Sequence, residues 1–385
     1  MKNKILILLL SVLSVSCISD YNPTLPDKEK DILVVEGTIV GNSTCTFYLG
    51  KNLSLNAVAH YEDYTVDGVI TLIDDKGMES APAERMSKGE YRLPVGALDA
   101  NTKYGVRVVY NNDVYESDLS YPLSTPPIDD VAFSQPESYG SVELNVSTHD
   151  TATEIGYYRW FYEEDWEETA PLFSLFTYDI AEEDYIPLDP NTYYCWHKTR
   201  TNKQTVASTS KLRENRIINQ PFLVLDEPGF RFNTLYCVTV IQQVLSRRGF
   251  EYYQSKQNLN DDMGGIFAPV PSMVEGNISC ISDPDKRTIG YIEVNKNQET
   301  MKLFIYPGQI SSSKDRNCEV IPQDSVAKYL AENRMTLSGY YLNGYRPVVV
   351  DPNGPFDWGE GRCVDCQKNG GTKIRPDWWP DNGHH

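Results

Sequence analysis

The sequence has little of the chemistry that catalysis needs. Only five histidines occur, and two of them, His384 and His385, are its last residues. None of the G-x-S-x-G, H-E-x-x-H or P-loop patterns is present, which removes the motif-based case for a serine hydrolase, a zinc peptidase or a nucleotide-binding enzyme. Paired carboxylates for glycoside hydrolysis stay open, because such pairs form in space rather than in sequence. We therefore predict no enzyme, no cofactor and no metal site, with a hydrolase as the minor alternative.

Positive charge is also scarce. The chain has 35 Lys and Arg against 54 Asp and Glu, which gives a formal net charge of −19. A field of this sign repels phosphate backbones and anionic lipid headgroups, so nucleic acid is not an expected partner. With 40% hydrophobic residues, the chain can still bury sizeable cores, and its length of 385 residues suits two or three domains.

Long hydrophobic runs are absent except near the start of the sequence. There, Lys2 and Lys4 precede an apolar run at residues 5–13, which is too short for a permanent membrane span. Small residues and then Cys17 follow, as in a bacterial lipoprotein signal. We therefore expect residues 1–16 to be removed as a signal peptide and Cys17 to carry fatty acids such as palmitate. An ordinary secretory signal with an incidental cysteine is the alternative.

The next part of the sequence has the short strands and frequent turns of an all-β domain. Residues 17–30 are polar and contain two prolines, so we expect a tether there. Short strand-like segments separated by turn residues then follow, at residues 31–36, 43–49, 69–73, 89–93, 104–110 and 113–117. This spacing predicts an immunoglobulin- or fibronectin-III-like β-sandwich over residues 31–126. The stretch 98–108 resembles the fibronectin type III pattern, which places Tyr104 in a tyrosine-corner-like position.

The remaining residues, 127–385, predict a larger β-rich domain stapled by disulfides. One helix is expected at residues 247–263, where a helical pattern ends at a pair of glycines. A second helix is expected at residues 325–335, with Asp324 as its N-cap. The predicted fold class is thus mainly β: an N-terminal sandwich followed by a β-rich domain with one or two helices.

Seven cysteines besides Cys17 bear on the second domain, because an exported protein is expected to form disulfides. Cys45 alternates with threonines in a predicted strand and is expected to be unpaired and buried. The sequence does not choose among the pairings of six disulfide candidates, which are Cys195, Cys237, Cys280, Cys318, Cys363 and Cys366. The single C-x-x-C at residues 363–366 lacks the four ligands of a structural zinc site, which favours a disulfide role.

Two acidic clusters, at residues 163–168 and 182–184, have the oxygen density that Ca²⁺ prefers. Runs of charge usually stay in water. We therefore predict solvated acidic loops over residues 163–190 rather than metal sites.

Three tryptophans near the end of the sequence are binding candidates. Trp358, Trp378 and Trp379 can stack on sugar rings or anchor a peptide, since tryptophan is common at interfaces. Cross-strand packing explains them equally well, because β proteins use aromatic residues for that purpose. The sequence leaves both interpretations open.

An ordered set of short segments carries a family resemblance. The segments are Tyr157-Tyr158-Arg159-Trp160, Cys195-Trp196, Phe250-Glu251-Tyr252-Tyr253, Gly264-Gly265-Ile266-Phe267, Gly276-Asn277-Ile278, Cys280-Ile281-Ser282-Asp283 and Cys363-Val364-Asp365-Cys366. In this order they resemble the domain-of-unknown-function 4249 family over about residues 17–380. The resemblance implies that Cys195, Cys280, Cys363 and Cys366 belong to the family's cysteine set, and it supplies no catalytic residue.

The resemblance further implies a lipoprotein of Bacteroides-type bacteria that sits at the outer membrane and is often encoded beside a TonB-dependent receptor. We therefore expect a lipid-anchored accessory or binding protein on the cell surface that partners such a receptor in nutrient capture or uptake. A stand-alone surface module for an unidentified glycan or peptide is the alternative, and a hydrolase is less favoured.

Overall fold

The computed structural model describes most of the chain, namely residues 32–51, 64–188, 192–201, 203–262, 276–312, 317–351 and 353–381. The expected signal segment 1–16, Cys17 and the tether 17–30 lie outside the described residues, as does the family segment 264–267. Within the described ranges, no helix combines the length and the apolar content that crossing a membrane requires.

The described residues form twenty-two β-strands and four α-helices, so the protein is mainly β, as the sequence predicts. The strands are β1 (Leu33–Val40), β2 (Ser43–Lys51), β3 (Val69–Asp74), β4 (Glu84–Ser87), β5 (Glu90–Val95), β6 (Tyr104–Tyr110), β7 (Asp113–Ser117), β8 (Ile128–Ser134), β9 (Val142–His149), β10 (Tyr157–Thr169), β11 (Phe176–Asp179), β12 (Asp184–Pro187), β13 (Tyr194–Arg200), β14 (Thr205–Ser208), β15 (Arg216–Leu225), β16 (Tyr236–Val244), β17 (Ile278–Cys280), β18 (Thr288–Ile289), β19 (Ile292–Asn295), β20 (Glu299–Ile305), β21 (Tyr345–Val348) and β22 (Asp357–Glu360). The helices are α1 (Arg247–Asp262), α2 (Gln323–Asn333), α3 (Leu337–Leu342) and α4 (Gly361–Val364).

A first β-sandwich packs two sheets face to face. One sheet has the order β18-β1-β2-β5-β4, with β19 also paired to β1, and the other has the order β17-β7-β6-β3. Alternation on β2 places Cys45, Phe47 and Leu49 in the core, so Cys45 is buried and unpaired as expected. The Tyr104 hydroxyl accepts a hydrogen bond from the Asp99 backbone N–H at 3.0 Å, which confirms the tyrosine-corner-like position.

Three strands of this sandwich come from much later in the chain. β18 and β19 run parallel to β1, and β17 runs antiparallel to β7. Their side chains Ile278, Ile292 and Val294 are buried in the same core as the strands that precede residue 126. The expectation of a self-contained sandwich over residues 31–126 therefore needs correction. Short strands reveal their own periodicity in sequence, but they do not reveal a partner so distant along the chain.

A second β-sandwich packs the sheet β13-β10-β16-β20, with β14 also paired to β10, against the sheet β15-β9-β8. Its core includes Tyr158 and Trp160 of β10 and Tyr236 of β16. Because β10 has partners on both edges, the acidic cluster 163–168 lies in an interior strand, and the predicted solvated loop is wrong for this cluster. Acidic residues are depleted in strands, so the sequence alone favours a loop.

The helix α1 confirms the prediction for residues 247–263 almost to the residue. Ser246 caps its start, because the Ser246 hydroxyl accepts a hydrogen bond from the Gly249 backbone N–H at 3.0 Å. The cap therefore sets the position at which the chain leaves β16 of the second sandwich and begins α1.

The helix α2 begins earlier than predicted. It starts at Gln323 rather than at residue 325, and its N-cap is Pro322, which makes no side-chain capping bond. The predicted cap, Asp324, lies inside the first turn instead. A carboxylate in the first turn still interacts favourably with the helix dipole. Asp324 therefore marks the start of the helix in the sequence although it is not the N-cap.

A third, smaller unit is built around aromatic side chains. The hairpins β11–β12 and β21–β22 pack with α2 and α3. The buried members of its core are Tyr178, Val326, Tyr340 and Trp358. Because β11 and β12 precede α2 by more than a hundred residues, the chain leaves this unit for the second sandwich and then returns to it.

Two disulfides staple this part of the protein, namely Cys195–Cys366 and Cys318–Cys363. The disulfide candidates Cys237 and Cys280 are free and buried instead, which corrects their expected role. Each is a small apolar member of a core, with Cys280 in the first sandwich. The family resemblance singled out Cys280, whereas the structure gives the fourth disulfide position to Cys318.

Candidate functional site

The alternation of one strand builds a wall of a cleft. On β10, the even-numbered residues from 158 to 162 point into the core of the second sandwich. Arg159, Phe161 and Glu163 therefore point to the opposite face. The neighbouring strand β16 continues this face with Gln243, which lies directly opposite Arg159 in the ladder.

The facing wall is the outer surface of the first sandwich. On β1 and β2, alternate residues are buried in the core, so Thr38 and Tyr48 point away from it. Glu36 of β1 and Glu90 of β5 extend this wall. The cleft therefore lies between two sandwiches and takes one side from each.

The helix α1 closes one side of the cleft with Tyr253 and Lys256. The Tyr253 hydroxyl donates a hydrogen bond to the Tyr291 carbonyl at 2.9 Å. At the start of the helix, Glu293 Oε2 accepts hydrogen bonds from the Ser246 backbone N–H at 2.9 Å and from the Ser246 hydroxyl at 3.0 Å. These bonds hold α1 against β19, so the third side of the cleft is fixed in place.

The cleft has a volume of about 600 Å³ and is lined by both sandwiches and α1. Sites for small molecules usually have volumes of roughly 300–1,000 Å³. The space therefore suits a small ligand rather than a folded partner.

Arg159 forms the floor of the cleft and is only 2% exposed. Its Nη2 donates hydrogen bonds to Thr38 Oγ1 at 2.6 Å and to Gln243 Oε1 at 2.5 Å. Its guanidinium carbon lies 4.6 Å from the ring centre of Phe161 and 4.1 Å from that of Tyr253. The guanidinium thus contacts two aromatic rings, and its hydrogen bonds bridge the two sandwiches.

The Arg159 guanidinium also hydrogen-bonds to the Tyr253 hydroxyl. The guanidinium Nε is fully enclosed and makes no hydrogen bond. No described carboxylate lies within ion-pair distance of it either. A buried charge without a counter-ion costs several kcal/mol, of which cation–π contacts return only about 0.5–2 kcal/mol each. The protein therefore keeps at the bottom of a cavity a cation that has no ion-pair partner among the described residues.

The buried acid Glu293 interacts with the charge of Arg159 but forms no ion pair with it. Burial raises the pKa of Glu293 above its usual value, while the hydrogen bonds from Ser246 and the charge of Arg159 oppose that rise. The Glu293 carboxylate is committed to Ser246 at the start of α1. Arg159 is left with its positive charge directed at the cavity.

The rim of the cleft carries charges that are mostly paired. Glu36 pairs with Lys256 across the opening, and Glu163 pairs with Arg200 at 3.3 Å. Glu90 has no cationic partner among the described residues. Two lining charges are thus unmatched: the positive charge of Arg159 on the floor and the negative charge of Glu90.

A second cavity, of about 640 Å³, lies where the second sandwich meets the aromatic unit. Its charged groups have protein partners. His197 Nε2 lies 2.5 Å from Glu168 Oε2, and the imidazole stacks on Trp166 with ring centres 4.8 Å apart. Asn369 Nδ2 donates to Glu168 Oε1 at 2.8 Å, and Arg231 lies over the Trp166 ring. His197 Nε2 makes no hydrogen bond of good geometry, but the Glu168 carboxylate and Arg231 both have charged protein partners, so we place the functional site in the first cleft.

The first acidic cluster is structural. Glu164 accepts a hydrogen bond from the Tyr236 hydroxyl at 2.9 Å and pairs with Arg231. Asp165 is 2% exposed, and burial raises its pKa. The second cluster, 182–184, is exposed in the turn between β11 and β12, as predicted. Among the described residues, no group of three or more His, Cys, Asp or Glu side chains is placed to hold a metal ion.

The three candidate tryptophans do not form a binding surface. Trp358 is 1% exposed in the core of the aromatic unit and donates a hydrogen bond to the Tyr185 hydroxyl at 3.2 Å. Trp379 is 3% exposed. Trp378 remains partly exposed, but the Lys302 ammonium lies 3.0 Å from its ring centre and covers one face. Packing is therefore the role of Trp358 and Trp379, and their assignment as binding candidates is corrected.

The sequence prediction missed the residues of the cleft. Arg159 and Glu90 were not among the candidates, and Arg159 appeared only within the family segment. One signal was available: an arginine lies between Tyr158 and Trp160 in a strand whose alternate residues are large and apolar. An arginine at such a position is buried on the opposite face of the sheet. Buried arginines are rare, so this one indicates a specific role.

Comparisons with known proteins show the family to which the chain belongs. No curated protein matches the chain. A solved structure of the chicken interferon gamma receptor alpha chain is similar at 9% identity, covering 56% of this chain and 90% of that one with a TM-score of 0.17. A segment of two fibronectin type III domains from chicken tenascin is similar at 13% identity, covering 56% and 99% with a TM-score of 0.16. The family model described as Domain of unknown function (DUF4249) matches residues 18–300, which is well over half of the chain. The chain therefore belongs to the DUF4249 family.

Proposed function

We propose that the protein is a lipid-anchored binding protein of the outer membrane that captures a small ligand beside a TonB-dependent receptor. The observation that carries the binding role is the cleft of about 600 Å³ with the unpaired Arg159 guanidinium on its floor. A binding protein gains from such a cation, because ligand contacts recover the cost of burying it. The role is nutrient capture or uptake rather than catalysis.

The anchor in this proposal is Cys17. A basic start, a short apolar run and small residues precede it, as in lipoprotein signals. Acyl chains on Cys17 hold the protein durably, since two lipid signals already suffice for stable anchoring. The polar residues after Cys17 act as a tether that keeps the cleft clear of the lipid surface.

The receptor in this proposal is a TonB-dependent β-barrel, on the strength of what resemblance to the DUF4249 family implies. A cleft for a small ligand fits this partnership, because a captured molecule still has to cross the outer membrane. The stand-alone glycan module has less support, since Trp358 and Trp379 are buried and Trp378 alone of the three candidates stays exposed.

Metabolic labelling with an alkyne-bearing palmitate tests the anchor. We expect the wild-type protein to be labelled and to sediment with the outer membrane, and a Cys17→Ala variant to lose both properties. A Cys280→Ala variant is the control, because Cys280 is a buried free thiol and its loss should leave the label unchanged. Equal labelling and sedimentation of Cys17→Ala would show the anchor to be elsewhere.

Crosslinking in intact cells, followed by purification in detergent and mass spectrometry, tests the receptor. We expect a TonB-dependent receptor to be captured with the wild-type protein and to be depleted in the Cys17→Ala sample. Repeated capture of other outer-membrane proteins without any such receptor would overturn the partnership.

A further inference from the structure

The charged side chains that line the cleft balance in number. Three are cationic, namely Arg159, Arg200 and Lys256, and three are anionic, namely Glu36, Glu90 and Glu163. Lys256 pairs with Glu36 and Arg200 pairs with Glu163. Among the described residues, Arg159 on the floor and Glu90 on the wall are thus left without an ion-pair partner.

A ligand that matches this arrangement has one group of each sign. A guanidinium between two aromatic rings recognises a planar carboxylate through charge-assisted hydrogen bonds. A carboxylate on Glu90 attracts an ammonium group. A ligand with net charge zero leaves the cleft electrically neutral, whereas a phosphate or a dicarboxylate adds negative charge to a chain whose formal charge is already −19.

We infer that the cleft binds a small zwitterion, either a free amino acid or a short peptide, with its carboxylate on Arg159 and its ammonium group facing Glu90. This inference rests on the proposed function as a ligand-capturing protein. The Arg159 guanidinium, which lines the cleft and makes no ion pair with a described residue, supplies the positive charge that the carboxylate meets.

The walls between the two charges complete the site. Phe161 and Ile241 of the second sandwich and Tyr252 of α1 offer apolar surface to a ligand side chain. Thr38 fixes the guanidinium by accepting from Nη2 at 2.6 Å, so the charged group is held in one orientation before the ligand arrives. Such preorganisation reduces the entropy that binding costs.

Three matched ligands test the inference on the purified full-length chain in detergent. A library of all dipeptides of the standard residues is first screened by native mass spectrometry. The best dipeptide is then measured by calorimetry beside its C-terminal amide and its N-acetyl derivative. Loss of a charge-assisted contact lowers affinity about tenfold to a hundredfold. We expect the affinity of the amide to fall by at least this range and the affinity of the N-acetyl derivative to fall about tenfold.

Variants assign each loss to a residue. We expect Arg159→Gln to bind the free dipeptide and its amide equally weakly, and Glu90→Gln to bind the free dipeptide and its N-acetyl derivative alike. Arg85→Gln is the control. Arg85 lies on the exposed edge strand β4, outside the cleft, and pairs with Asp67, so this variant should bind the ligands as the wild type does. If Arg159→Gln fails to fold, the three ligands on the wild-type protein still decide the matter.

Three outcomes overturn the inference. The amide binds the wild-type protein as tightly as the free dipeptide does; or a folded Arg159→Gln variant keeps full affinity; or neither the dipeptide library nor the free amino acids bind. Binding of neutral oligosaccharides in the last case refutes the zwitterion and leaves the proposed capture role intact. Failure of the proposed function is seen separately, as the absence of the receptor from the crosslinked complex.

Discussion

The Arg159 Nη2 and the Thr38 Oγ1 lie 2.6 Å apart although 121 residues separate them in sequence. Thr38 belongs to the first sandwich and Arg159 to the second, so this hydrogen bond crosses the boundary between the two units. The boundary is also bridged by Asn295 Nδ2, which donates to the Val244 carbonyl at 2.8 Å. The cleft therefore has a floor that both sandwiches hold, and its shape depends on their staying together.

Replacement of Arg159 by methionine should separate stability from binding. The guanidinium is buried without a counter-ion, and an apolar side chain of similar length removes that cost. We expect Arg159→Met to unfold in urea within about 1 kcal/mol of the wild-type free energy, or to be more stable, because the lost hydrogen bonds to Thr38 and Gln243 are offset by the lost desolvation. Dipeptide binding should disappear in the same variant.

The matched control is Arg231→Met in the same sandwich. Arg231 pairs with Glu164, whose side chain is 6% exposed, so its removal leaves a buried carboxylate without its partner. We expect a loss of about 2 kcal/mol or more in the free energy of unfolding. If Arg159→Met were the more destabilised of the two variants, Arg159 would be a structural residue and the cleft would lose its case as a binding site.

The returning strands make a prediction about fragments. A fragment of residues 31–126 lacks Ile278, Ile292 and Val294, which are buried in its core. Burying each such side chain contributes about 1.5–3 kcal/mol, and whole domains are stable by only about 5–15 kcal/mol. We expect this fragment to show no cooperative thermal transition by circular dichroism.

The control for that experiment joins residues 276–297 to the same fragment through a flexible linker. The added segment restores the pairing of β17 to β7 and of β19 to β1. We expect the joined protein to melt cooperatively. Cooperative melting of the shorter fragment at the same temperature would show that the returning strands are not needed.

Local patterns predicted much of the fold. The strands β6 and β7 have the bounds that the sequence indicated, and α1 differs from its prediction by one residue. These elements are specified by alternation, turns and caps within a few residues of themselves. The acidic strand β10 was misread because its acids are stabilised by Arg231 and by other residues that are distant in sequence. The cleft could not be predicted for the same reason, since Arg159 and Glu90 come to line one cavity only after both sandwiches have formed.

The cysteines should divide into two chemical classes. Digestion without reduction is expected to yield the peptide of Cys195 linked to that of Cys366 and the peptide of Cys318 linked to that of Cys363. The measurement is mass spectrometry of the linked peptides. A disulfide that includes Cys280 would instead favour the cysteine set that the family resemblance implied.

The free thiols should resist alkylation until the protein unfolds. Burial raises the pKa of Cys45 to about 11 and that of Cys237 to about 12. At pH 8 only about one thiol in a thousand, or fewer, is then the reactive thiolate. We expect iodoacetamide to modify both residues quickly in urea and slowly in buffer. Equal rates in the two conditions would mean that these positions open readily in the native state.

The last prediction concerns Asp165, which is buried between β13 and β16. Burial raises the pKa of the Asp165 carboxyl in the folded protein, and Glu163 adds to that rise while Lys198 and Lys302 oppose it. A raised folded pKa means that the native state holds the proton more tightly than the unfolded state does. The resulting stabilisation is complete below the unfolded pKa of 3.8 and is lost as the pH rises through the folded pKa.

Replacement of Asp165 by asparagine removes this titration. Relative to the wild type, we expect the Asp165→Asn free energy of unfolding to increase as the pH is raised from about 3 to 7, measured by urea unfolding at each pH. Glu163→Gln is the control, because it removes the same formal charge from a more exposed position that pairs with Lys198 and Arg200. Loss of that surface pair should cost about 0.2–1 kcal/mol at pH 7. If Asp165→Asn were instead progressively less stable than the wild type toward neutral pH, the carboxylate would be favoured in the fold, and burial would not be the dominant influence on Asp165.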